Sequence, residues 1–284
     1  MKVILSRKGF DSQYGGMPSP ILPDGTLLSL PIPSKEDLET KYVDIYHGGQ
    51  SYYDIIHTLR PSTKIQEKYA CHLDPDLRAE AKARHAGWMP AFGQMDQALG
   101  HLRNQGVGVG DIFLFFGWFR QTEYREGKLA YVKGAPDLHV IYAYFEVGSI
   151  IDKPEDIPTW LYDHPHVKPE YWEHANAIYI AAPRLSLCLE LPGAGYLPFS
   201  GKVVLTKPGC SRSIWQLPDF FRQIPISYNA NAWQGDCFMA AAKGQEFVFE
   251  ANRKATDWVL DIIGVEAKNI SEEVYPTGVE WRIS

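Results

Sequence analysis

Chemistry first becomes possible in this sequence at MKVILSRKGFDSQYGG, where an apolar run breaks into Ser6, Arg7, Lys8 and Asp11. A hydroxyl, two cations and a carboxylate crowded at a strand end are the parts of an anion site. Arg7 offers a planar, bidentate fork to phosphate or carboxylate, and a turn beyond a strand can add backbone N–H groups. The plain alternative is a solvated turn whose cations pair with Asp11. On either reading, Gly15 and Gly16 serve the backbone.

KVVLTKPGCSRSIWQLPDFF repeats the theme, running from a strand through a Pro-Gly turn into a basic, Ser-rich loop. Thr206, Lys207, Ser211, Arg212 and Ser213 can hold a phosphate through hydroxyls, amides and cations. The G-x-x-x-x-G-K-[ST] spacing of a P-loop is absent. Cys210, beside Arg212, has the surroundings of a lowered-pKa thiol, although a cysteine after Pro-Gly is more commonly structural.

Imidazoles and carboxylates form two further groups, Cys71, His72, Asp74 and Asp76 in CHLDPD, and Asp163, His164 and His166 in DHPHV. His-x-His on an extended strand puts two rings on one side, a spacing metals accept, and either carboxylate group can complete the set. Loop histidines beside Asp and Pro more commonly make caps and turns, so no metal is assigned. In GQEFVFE, Gln245 and Glu246 open a strand. A carboxylate at a cleft edge can stabilise a cationic intermediate or orient a sugar hydroxyl, though a surface glutamate is commoner.

A chain of 284 residues can bury a sizeable core around such groups, and 45% hydrophobic with 22% charged residues reads as soluble and globular. With 28 basic against 34 acidic residues the net charge is −6, which argues against gripping nucleic acid through a broad positive field. A local basic site is compatible with that balance. The first residues lack the pattern of a signal peptide, and no apolar run approaches a membrane span, so the expectation is a cytoplasmic protein with no membrane partner. Cys71, Cys188, Cys210 and Cys237 are scattered, without a C-x-x-C pair, and are expected to be reduced and mostly buried.

The elements follow from pattern. Residues 2–6 read as a buried strand, and the Pro- and Gly-rich stretch after them as loop and strand edges. Helices are expected over 34–45, capped by Ser34 with Asp37 three positions on, over 50–60, and across FGQMDQALGHLRNQG, which Gly106 stops. Residues 111–119 and 138–151 read as an antiparallel pair joined by a long polar excursion over 120–137. Residues 152–175 look like loop. Strands are expected at 177–181, 185–191, 202–206 and 244–250, then a helix over 255–265 running into a last strand. Strands outnumber helices and the βαβ rhythm is missing, which predicts one α+β domain over 1–284 with a mixed, largely antiparallel sheet flanked by helices.

The strings SRKGFDSQYGGMPSPILPDGTLLSLPIP, HLDPDL, VGDIFLFFGWFR, HVIYAYFEVG and LTKPGCSRSIWQLPDFF resemble, in that order, the third of the nucleotide-modification-associated domain families. That family occurs in bacterial and phage gene neighbourhoods linked to DNA base modification. The resemblance implies a site at the matched Arg7, Lys8, Asp11, His72, Asp74, Arg120, Ser211, Arg212 and Ser213. A narrower resemblance, in a strand-end arginine, a late hydroxyl and QEFVFE, is to DNA-targeting ADP-ribosyltransferases. It implies NAD as cofactor, Glu246 supporting an oxocarbenium-like transition state and Arg7 holding the NAD phosphates. The Ser-Thr-Ser triplet and N-terminal histidine signature of those enzymes are absent here. A third reading makes 111–119 and 138–151 walls of a small barrel that reads modified bases without altering them, with Phe116, Trp118 and Tyr142 as stacking surfaces.

The expectation carried forward is a nucleotide- or nucleic-acid-base-binding protein, an enzyme of DNA or nucleotide modification of transferase type. Ser6, Arg7, Lys8, Arg120, Ser211, Arg212 and Ser213 would bind substrate, with Asp11, Glu246 and His72 as the acid, base or charge-stabilising groups. The physical premise is that Arg7, Lys8 and Arg212 share one anion-binding cleft.

Overall fold

A computed structural model describes residues 1–34, 39–227, 232–240 and 246–265. Its centre is a nine-stranded sheet: β1 (Lys2–Arg7), β2 (Ser19–Ile21), β3 (Ala91–Met95), β4 (Ile112–Arg125), β5 (Lys128–Tyr131), β6 (Leu138–Ile151), β7 (Asn176–Ala181), β8 (Ala194–Tyr196) and β9 (Glu246–Glu250). The path runs β9-β1-β4-β6-β7-β3, with β2 and β5 on β4 and β8 on β6. Only β1 and β2 run parallel to their neighbour β4; every other pair is antiparallel. Helices α1 (Tyr52–Leu59), α2 (Asp96–Asn104), α3 (Pro169–Trp172) and α4 (Arg253–Ile263) flank the sheet. The class is α+β, as the element pattern predicts.

Val3, Ile4 and Leu5 of β1 and Ile112 to Phe116 of β4 are all buried, because both faces of the sheet are covered. Two register shifts in β6, between Ile141 and Ala143 and between Val147 and Ser149, bend that strand as bulges do. The sheet curls until its two edges meet. Gln94 of β3 donates to the carboxylate of Glu246 on β9, and α2 packs against both strands. Inside the curl Phe92 stacks on Tyr179 at 4.7 Å and meets Phe113 edge-on at 4.6 Å.

The outer face of β1, β4 and β9 is covered by a small sheet of Ile214–Trp215, Cys237–Met239 and Trp233–Gln234. Trp215 packs edge-on to Phe116 at 4.9 Å and to Phe247 at 5.5 Å. A second core under the loops of residues 10–72 gathers Phe10, Leu28, Leu30, Tyr42 and the buried face of α1. Ser51 caps α1 by accepting from Asp54 N–H, Asn252 caps α4, and Gly264 ends α4 at φ 88°.

Several expected elements take another form. Residues 91–95 are strand rather than the start of α2, since they pair with β7 from Ala91 to Met95. Residues 185–191 and 202–206 bury Leu185, Val203 and Leu205 in turns, a 3-10 segment and isolated bridges, such as Val204 to Val140 and Thr206 to Trp215, rather than in strands. The excursion over 120–137 continues β4 into a hairpin with β5, turned by Glu126 and Gly127, both at positive φ. Of the helix expected over 34–45, residues 35–38 lie outside the described residues, and 39–45 form turns and a bridge from Lys41 to Ala70. Gln245 and the strand expected after 265 also lie outside them. Cys71 and Cys188 are buried, and all four cysteines are free thiols. No helix among the described residues is long and apolar enough to cross a membrane.

Candidate functional site

Alternation along β1 sends Ser6 and Lys8 into the curl of the sheet and Arg7 to the outer face. The SRK tripeptide therefore feeds two separate clusters.

The inner cluster is nearly dry. Ser6 donates from Oγ to Glu246 Oε1 at 3.1 Å, and Gln94 donates to the same oxygen. Oε2 of Glu246 is buried and has no hydrogen-bond partner among the described residues. Burial pushes this carboxyl up to about 7, against the pull of the Lys8 charge and of the Ser6 and Gln94 hydrogen bonds. Lys8 Nζ sits 2.7 Å from Asp74 Oδ2 and donates to the Gly93 carbonyl at 3.2 Å. Asp74 Oδ1 accepts from the Gly93 N–H at 2.6 Å. Burial works against ionised Asp74, but Lys8 and three surrounding imidazoles outweigh it and hold the acid well below the usual carboxylate range.

Those imidazoles are His72, His164 and His166. The centroids of His72 and His166 are 5.1 Å apart, and those of His164 and His166 5.8 Å. Residues 165–167 form a 3-10 turn with His164 as its cap, not an extended strand, so His-x-His spacing is not what brings the rings together. Gly93 is what admits His166: a Cβ there would lie 2.0 Å from the ring. Burial drives His72 down to about 4 and His164 down to about 3, so both rings are neutral at pH 7. A cavity of about 120 Å³ lies beside His164 and Cys71, and one of about 20 Å³ beside Asp74, large enough for a water.

The outer cluster lies at the surface and is half-buried. Arg7 pairs with Asp11 at 3.3 Å, and Arg212 donates to Ser12 Oγ at 2.5 Å. Arg120 Nε donates to Asp137 at 2.8 Å, and Arg212 reaches the same carboxylate at 4.0 Å. The Arg212 guanidinium lies 4.2 Å over the Trp118 ring. Arg7 and Arg212 are close enough to act on each other. Burial lowers the Arg7 pKa, Asp11 opposes the change, and the Arg212 charge adds to it. Buried His139 is driven down to about 3 by desolvation and by both arginines.

Arg212 acts electrostatically on Arg7, and Arg120 and Arg212 share Asp137, so the three expected arginines lie in one neighbourhood. Lys8 departs from the expected cleft, because strand alternation commits its ammonium to Asp74 on the inner side. Asp11 is engaged in its own turn, accepting from Gln13 and Tyr14 N–H at 2.7 Å each, and faces Arg7 rather than Glu246. Ser211 and Ser213 lie in the loop that carries Arg212, their hydroxyls 3.4 Å apart. His72 and Glu246 belong to the inner cluster. Arg7 and Glu246, which the ADP-ribosyltransferase resemblance places on one substrate, project from opposite faces of the sheet. Of the stacking surfaces, Phe116 and Tyr142 are core and Trp118 lies under Arg212. Gln94, Gly93 and Asn176 carry no signal in the sequence beyond lying near charged neighbours.

A family model described as nucleotide modification associated domain 3 matches residues 2–250. No curated protein and no solved structure matches the chain. With β1 through β9 all inside the matched span, the inner and outer clusters are both built from that domain, and the chain belongs to the nucleotide modification associated domain 3 family.

Proposed function

We propose that this protein is an enzyme of nucleotide or nucleic-acid-base modification, with Glu246 as its general acid-base and the arginines of the outer cluster as its phosphate clamp. The observation that carries the reading is the state of Glu246. Its carboxyl is buried, held through one oxygen by Ser6 and Gln94, unpartnered at the other among the described residues, and raised to about 7. A proton-transfer group works best with a pKa near the working pH, and burial is the ordinary way to bring a glutamate there.

Consecutive residues at one strand end make the arrangement workable. Phosphates laid across the end of β1 would meet Arg7, Arg212 and Arg120 on the outer side, exchanging the Asp11 and Asp137 pairs for charge-assisted bonds. The sugar or base would reach Glu246 only by passing the end of β1 and opening the inner cluster, which is closed in this structure. The transferred group is left open by this arrangement.

The test is to incubate the protein with nucleotides and with DNA and follow base and sugar masses by mass spectrometry. Loss of turnover in Glu246→Gln with nucleotide affinity kept, and loss of affinity in Arg212→Ala, are the expected results. Full turnover by Glu246→Gln, or nucleotide affinity indifferent to an Arg7, Arg212 double substitution, would end the proposal.

A further inference from the structure

The inner cluster also has the donor set of a metal site. His72, Asp74 and His166 each offer a ligand atom, and the three atoms lie within 4.8 Å of one another. They come from a strand edge, the segment after it and the distant 3-10 turn at 165–167, so no short motif brings them together. Two imidazoles with one carboxylate suit a divalent first-row transition ion, whereas magnesium and calcium prefer an all-oxygen shell.

The ring of His166 is prepared for this. Asn176 donates from Nδ2 to the His166 carbonyl at 3.0 Å, which fixes the amide and turns Oδ1 to the ring, where it lies 2.7 Å from Nδ1. That contact assigns the proton to Nδ1 and the lone pair to Nε2. A metal-binding histidine whose other N–H is held by a side-chain oxygen is the usual outer-shell arrangement. Asp74 retains capacity as well. The Gly93 N–H and Lys8 take one position on each oxygen, and a carboxylate has about four acceptor positions.

His164 supplies an independent observation. Its Nδ1 accepts the His166 N–H at 3.2 Å, so in the neutral ring the proton sits on Nε2. That nitrogen is buried without a hydrogen-bond partner among the described residues and lies 3.7 Å from Asp74 Oδ1. An N–H aimed into the cluster with nothing to receive it is what a water or hydroxide on a bound ion would satisfy.

We propose that His72, Asp74 and His166 bind one divalent first-row transition ion, with Asn176 positioning His166 and His164 facing the ion's outer ligands. The inference stands on the donor set and does not depend on the enzymatic reading, because binding is measured without substrate.

The protein, stripped with chelator, is offered Mn²⁺, Zn²⁺ or anaerobic Fe²⁺, with Mg²⁺ as control, then gel-filtered and assayed for metal and thermal stability. Expected are about one transition ion per chain with a raised Tm, no retained Mg²⁺, loss of binding in His166→Ala, and an affinity about 10- to 100-fold lower in Asn176→Ala. Should His166→Ala fail to fold, ¹⁵N-histidine spectra of the wild type decide: Zn²⁺ must shift the buried rings of His72 and His166. A wild type that retains no transition ion, a folded His166→Ala that binds as well as wild type, or shifts confined to exposed histidines would each overturn the site.

Discussion

The face of β1 that carries Ser6 and Lys8 is dry and closed, whereas the face that carries Arg7 opens onto three arginines and two aspartates at the surface. The two cations are neighbours in sequence, each paired with a carboxylate, yet their pairs stand in different solvents. Lys8 and Asp74 have side-chain exposures of 11% and 3%, against 16% and 22% for Arg7 and Asp11 and 29% and 28% for Arg212 and Asp137 farther out. In the dry pair each charge is the other's main solvation, so removing one strands its partner. In the wet pair water takes over when a partner leaves. Counter-charges on the inner side are needed by the fold, and those on the outer side can leave without stranding a charge away from water.

Lys8→Met tests that difference most severely. It leaves Asp74 buried without its ammonium partner, and breaking a buried pair from one side costs about 3–5 kcal/mol. Denaturant unfolding at pH 7 should show a loss of that size. A loss below about 1 kcal/mol would mean that water reaches Asp74 and that the inner face is not dry.

Glu246→Gln should act in the opposite direction. The folded value of about 7 lies above the ordinary 4.5, so folding favours the protonated acid. That contribution, about 3 kcal/mol, is whole below pH 4.5 and is lost as pH rises through 7. The amide keeps an oxygen for Ser6 and Gln94 without the charge. At pH 8 the variant should be the more stable protein, its stability flatter between pH 5 and 8, while turnover is lost. Parallel pH profiles for the two proteins would show that Glu246 titrates normally.

Much of this was legible in the strings themselves. β1, β4, β6, β7 and β9 announce themselves as β-branched or aromatic runs between turn residues, and the two basic strand-end loops are plain by composition. Strand alternation also predicts that Arg7 and Lys8 part company, once both are known to lie at a strand end covered on two sides. What could not be read was long-range: that the edges β3 and β9 meet, that Gln94 therefore reaches Glu246, and that His166 comes to His72. Gly93 shows why. In FGQMDQAL it looks like a weak helix position, and its purpose is visible only when the His166 ring occupies the place of its missing Cβ.

Gly93→Ala follows from that contact. The methyl would lie 2.0 Å from the ring, so the ring or β3 must shift, at about 1–3 kcal/mol for an overpacked core site. Thermal unfolding measures the cost, and metal retention should fall with it, since His166 leaves the position that Asn176 holds. A variant of unchanged stability and metal content would mean that the turn at 165–167 adapts freely.

The smallest effect on stability is expected on the outer face, where Arg212→Met removes a solvent-exposed partner of Asp137 and Ser12. Its stacking on Trp118 is retained in part by the thioether, so the loss should be about 1 kcal/mol or less. Binding should respond far more. If phosphate displaces Asp137 from the arginines, the variant loses one cation of three, and nucleotide affinity should drop with a shallower salt dependence. Titration of a nucleoside triphosphate at two ionic strengths checks both. Stability lost with affinity kept would reverse the assignment of the two faces, making Arg212 a structural counter-ion and leaving the phosphate clamp without its central member.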